Sequence, residues 1–273
     1  ALVVPLQGLQ TLQLEYAGKR TELFLQPQDT LYIRFHAAEY PRLRFDSEKG
    51  SSKAAAANDC WQQYKILYAP SLDPMSLRQY RRGAYYFPLS YDEDRRMQTM
   101  PPDSFTTALR RERYTQEQWA DSHTAQASAE FRSYLHTDIQ ARYLWAYLAY
   151  GQVYKGRWRL DAANFLAPLD SQAAALWSDS QIHNAQYRRF ALAYTHWRSE
   201  TAPQATNSNE YARWYVSAQQ ALDSAQAPIT RYATLAAILA QGLQRSDGRE
   251  LNDEYRNFLK TNPYVELDYI IGE

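Results

Sequence analysis

Cysteine occurs once in this chain of 273 residues, as Cys60. A single thiol excludes an internal disulfide, a CxxC redox pair and a cysteine-rich zinc site. Glycine is also scarce, at nine residues, half the ~7% of average usage. Neither GxGxxG nor GxxxxGK[ST] occurs, so nucleotide phosphates lack their usual backbone cradle. GxSxG is missing too, which leaves a nucleophile elbow without support. No run approaches ~18 consecutive apolar residues, so no transmembrane helix is expected. Net charge is lacking as well, because 30 basic residues balance 30 acidic ones. No global field draws nucleic acid or an anionic membrane to the chain. The N-terminus, Ala1-Leu2-Val3-Val4-Pro5, has neither Met nor signal-peptide organisation. A processed chain, or part of a longer product, is therefore expected. The pattern at Leu267 and Ile270 agrees, since its helix stops mid-stride at Glu273.

What the chain has in excess is aromatic side chains: 23 Tyr, 9 Phe and 7 Trp. Apolar content of 45% and charged content of 22% are ordinary. The length suffices for a hydrophobic core without a disulfide or metal staple.

The N-terminal part reads as strands. Leu12, Leu14 and Tyr16 alternate with polar neighbours, Leu23 and Leu25 resume the alternation after Ala17-Gly18-Lys19, and Leu31, Ile33 and Phe35 follow. Gln26-Pro27-Gln28-Asp29 supplies a tight turn. Leu43 and Phe45 make a last short strand. From residue 52 the period becomes helical, beginning with Trp61, Tyr64, Leu67 and Tyr68. Residues 70–103, with five prolines and the pairs Arg81-Arg82 and Arg95-Arg96, read as an irregular, solvated loop with short helices. Phe131, Leu135, Ile139, Tyr143, Ala146, Tyr147 and Tyr150 form a broad helical stripe, with Gly151 expected at its left-handed C-terminus. Asp170-Ser171 is expected to cap a helix carrying Trp177, and Pro228 to open another. The fold class is α+β: a small antiparallel β-sheet or sandwich domain over 1–50, then a larger all-helical domain over 51–273.

Catalytic chemistry finds little purchase. His36, His123, His136, His183 and His196 form no HExxH and no close helical pair. Neither a metal nor a cofactor is expected. Carboxylate runs such as Asp92-Glu93-Asp94 read as surface, although paired acids for glycoside hydrolysis need only spatial proximity. Cys60, beside Trp61, reads as a small buried hydrophobe rather than a reactive thiol. Catalytic residues are therefore none. The densest feature is Tyr143-Leu144-Trp145-Ala146-Tyr147-Leu148-Ala149-Tyr150, followed by Tyr154 and Trp158. Aromatics on both helix faces imply either a helix at the bundle's centre or a partner surface. On the second reading Tyr147, Tyr150, Tyr154 and Trp158 are the candidate partner-binding residues. Leu148, Gly156 and Trp158 suggest one tetratricopeptide-like turn, but no second copy follows at a period near ~34.

One segment resembles a known group. Leu23-Phe24-Leu25-Gln26-Pro27-Gln28-Asp29-Thr30-Leu31-Tyr32-Ile33 is similar to a "yLePGDsLtI" segment. Arg44-Phe45, Lys49-Gly50 and Ala54-Ala55-Ala56-Ala57-Asn58 are similar to "kFsGkgaaeN". Both belong to the N-terminal region of TlpA-like thiol-disulfide interchange proteins of Bacteroidetes-type bacteria. Tyr187-Arg188-Arg189-Phe190, Ile229-Thr230-Arg231-Tyr232 and Tyr255-Arg256-Asn257-Phe258-Leu259 resemble helices of that region. The resemblance implies a periplasmic or outer-membrane-associated protein with a β-sandwich-like and a helical domain. It also implies an envelope protein as partner, and a lipidated N-terminus outside these residues as anchor. The chain departs from the group in three ways. The first sandwich strands are short or missing, the thioredoxin domain with its CxxC lies outside these residues, and Gln28 and Asp46-Ser47 stand where the group has Gly. The replaced glycine at Gln28 suggests a different turn conformation. No redox residue carries over. The expected function is a non-catalytic envelope module that docks a partner or substrate. A carboxylate-dependent hydrolase and a carbohydrate-binding module are the alternatives.

Overall fold

The computed structural model describes residues 10–34, 36–37, 42–68, 91–200, 210–222, 227–245 and 251–264. These residues are mostly helical, with a small antiparallel sheet near the N-terminus, which agrees with the α+β expectation. No helix among them is long and apolar enough to cross a membrane.

Strands β1 (Gln10–Tyr16) and β2 (Lys19–Leu25) form a hairpin in which Leu12 faces Leu23 and Tyr16 faces Lys19. The two residues between them, Ala17 and Gly18, both have positive φ, at 50° and 74°. Such a turn carries the right-handed twist of the strands across a two-residue connection. Two shorter strands, β3 (Ile33–Arg34) and β4 (Arg44–Phe45), pair antiparallel. No larger sheet occurs among the described residues. The alternation in β2 sends Leu23 to a small apolar cluster with Leu43, and Phe24 to the opposite face.

A two-stranded ribbon is too small to bury its own faces in water. It leans on α1 (Ser52–Tyr68), where Ala54 to Ala57 provide strong helix formers. Two amide side chains one turn apart on α1 fasten the strands. Asn58 Oδ1 accepts from Phe24 N at 2.8 Å, and its Nδ2 donates to the Phe24 carbonyl at 2.9 Å. Gln62 Oε1 accepts from Leu43 N at 2.7 Å, and its Nε2 donates to the Leu43 carbonyl at 3.3 Å. Each amide supplies the donor and acceptor that a neighbouring strand would have supplied. Phe24 then sits edge-on to Trp61, Phe131 and Tyr134, with centroids 4.8–5.1 Å apart. The last two rings come from α4 (Ala129–Val153), whose start is held by Ser128 Oγ accepting from Phe131 N at 3.1 Å.

The contacts divide the chain into two compact units. One joins the described residues up to 68 with 110–139, and the other joins 91–109 with 140–264. The division expected at residue 50 differs from this one, because α1 and the segment 110–139 share the β ribbon's core. The irregular stretch expected at 70–103 lies partly outside the described residues. From 91 onward it is helical: α2 (Tyr91–Thr99) is followed by α3 (Pro102–His123). Pro101 and Pro102 punctuate two helices instead of marking a loop, since proline suits the first helical position.

The second unit adds α5 (Ala162–Leu166), α6 (Leu169–Ala174), α7 (Ala185–Glu200), α8 (Glu210–Leu222), α9 (Pro228–Arg245) and α10 (Asn252–Thr261). Helices α7, α8 and α9 pack on one another. Caps explain several starts. Asp161 accepts from Ala163 N and Asn164 N at α5, Asn184 Oδ1 from Gln186 N and Tyr187 N at α7, and Pro228 opens α9 as expected. Two expectations need correction. Gly151 lies inside α4 without positive φ; its smallness admits Leu166, whose Cδ2 would lie 2.7 Å from an added Cβ. Asp170 is in the first turn of α6, not its cap, and the helix stops before Trp177. The helix expected after Asn262-Pro263 lies outside the described residues.

Candidate functional site

The aromatic stripe of α4 forms the inner wall of the second unit. Tyr147, Tyr150 and Tyr154 are buried, Tyr150 fully, and Trp158 is half-buried against the same core. Tyr150 stacks on Phe105 at 4.1 Å, and its hydroxyl donates to the Met100 carbonyl at 2.7 Å. Tyr147 stacks on Phe165 and donates to that residue's carbonyl. Trp158 Nε1 reaches the Met97 carbonyl at 3.4 Å. The four residues named for partner binding are thus brought together as the bundle's centre. The polar tips of Tyr147, Tyr150 and Trp158 are spent on backbone carbonyls of neighbouring segments. A partner would reach the three tyrosines only by opening the bundle.

The same economy holds elsewhere. Tyr64 donates to Gln116 at 2.8 Å, and Tyr232 to the Thr261 carbonyl at 3.0 Å. Tyr187 accepts from Ser178 N and shares a 2.9 Å bond with Thr230, whose backbone N–H is held by Asp179. All seven tryptophans are described: three are buried and four half-buried.

Cys60 is buried, and burial, helped by the Asp59 carboxylate, pushes its thiol up to about 12. Thiolate chemistry at neutral pH needs the opposite shift. Among the described residues no three His, Cys, Asp or Glu side chains gather as a metal-ligand set. His136 pairs with Asp121 at 3.0 Å, while His36 and His123 are exposed.

Shifted titratable groups converge at the end of α7, which the periodicity of Tyr187, Phe190 and Tyr194 marks only as core. Tyr194 donates to Asp170 Oδ1 at 2.7 Å, and Arg198 Nη1 holds Oδ2 at 3.1 Å. Burial and the Asp170 carboxylate raise the Tyr194 hydroxyl above its usual range. On the next face, His196 Nδ1 lies 3.6 Å from Glu200 Oε1, and the ring stands edge-on to Trp214. Burial lowers His196 to about 4 and raises Glu200, with Lys155 opposing the second shift. At neutral pH the imidazole is uncharged, and the neighbouring Glu200 carboxyl holds its proton more tightly than usual. Such clustering is the physical signature of candidate sites. The Asp170 carboxylate, satisfied by two donors, acts instead as a strut between α6 and α7. The sequence signal was available in the run Tyr194, His196, Arg198 and Glu200, but only the fold shows which of these are shielded.

Exposed large apolar side chains occur in the first unit: Ile66 at 67% and Leu67 at 58% near the end of α1, and Tyr114 at 60% on α3.

No family model, no curated protein and no solved structure matches the chain.

Proposed function

We propose that this chain is a non-catalytic module of a bacterial envelope, periplasmic or outer-membrane associated. It docks a partner or substrate for a thioredoxin-like disulfide interchange protein, or serves as a subunit of an envelope complex. The observation that carries the non-catalytic part is Cys60: the chain's one thiol is buried and its proton is held to about 12. The resemblance supplies the setting, and structure supports the use of its residues. Asp29 Oδ2 accepts from Gln26 N at 2.9 Å to lock the Pro27 turn. An added Cβ on Gly50 would collide with the Thr30 carbonyl oxygen. Asn58 fastens β2 to α1. The resembling segments between Leu23 and Asn58 are among those whose side chains close the first unit. In this reading the ribbon and the β3–β4 pair belong to a β-sandwich.

A second reading, a carboxylate-dependent hydrolase, draws on the raised carboxyl of Glu200 beside His196. A carbohydrate-binding module, which would use exposed Trp and Tyr platforms, has less support: no tryptophan is exposed, which leaves Tyr16, Tyr32 and Tyr114 among the described residues.

A thiol-disulfide exchange assay on the purified chain, with a Cys60→Ala variant beside it, tests the proposal. Identical background rates are expected. Turnover that requires Cys60 would overturn it, and glycoside hydrolysis lost in Glu200→Gln would move the assignment to the second reading.

A further inference from the structure

We draw no further inference here: the strongest candidate, the exposed apolar patch of Ile66 and Leu67 near the end of α1, carries nothing because nothing in the structure shows what covers it.

Discussion

Gln28 holds a turn conformation that glycine would adopt at less cost. Its φ is 71°, a left-handed conformation that costs an L-residue about 1–2 kcal/mol and glycine almost nothing. Asp29 closes the turn on Gln26 with both backbone and side chain, and the strain is carried. Gln28→Gly is expected to stabilise the protein by about 1 kcal/mol in urea unfolding. Tyr150 makes the complementary case. Tyr150→Phe keeps the stack on Phe105 but removes the partner of the part-buried Met100 carbonyl, with an expected cost of about 1 kcal/mol. His196 sets a pH dependence. Its folded value, about 4, lies below the unfolded 6.5, so the unfolded chain takes up the proton first. Stability from this group is complete above pH 6.5 and is lost as the pH falls toward 4. The loss is about 3 kcal/mol. Glu200 is shifted in the opposite sense and is half-exposed, so it offsets only part of that loss. Thermal unfolding of His196→Gln between pH 7 and 4 should show a flatter acid limb than the parent.

At the scale of elements, the β ribbon depends on α1. Asn58→Leu preserves volume but leaves the Phe24 N–H and carbonyl buried without their partner, at an expected cost of about 3 kcal/mol. Hydrogen exchange should show β2 opening before the α7–α9 bundle. Uniform loss of protection in both regions would contradict the assignment of Asn58 to the first unit. Element positions were legible because their periods are clean: Leu12, Leu14, Leu23 and Leu25 alternate, and Phe131 to Tyr150 step by three and four. Asn58 and Gln62 carried no such signal, since a polar residue on a helix reads as solvated until a strand edge is known to lie against it. Pro101-Pro102 leaves the lengths of the short helices in 70–103 open, because proline ends one helix and opens the next with equal ease.

At the scale of the whole molecule, most aromatic rings among the described residues are buried or half-buried, with Tyr16, Tyr32 and Tyr114 the exposed ones. Tyrosine supplies ring area to the core and a hydroxyl that ties one segment's backbone to another, as Tyr147, Tyr150 and Tyr232 do. That explains why composition alone leaves a partner surface open beside a central helix at Tyr147, Tyr150, Tyr154 and Trp158. Burial is a property of the assembled bundle, and both readings require the same residues in sequence. The cluster at the end of α7 was illegible for a related reason: the shifts at His196 and Glu200 come from burial, which adjacent residues do not encode. The central claim is that the chain acts by docking in the envelope. The most direct measurement is native mass spectrometry of the protein released from the envelope fraction of its own host. The account predicts a complex of fixed stoichiometry with one defined envelope protein. A free monomer recovered from the cytosolic fraction would contradict it.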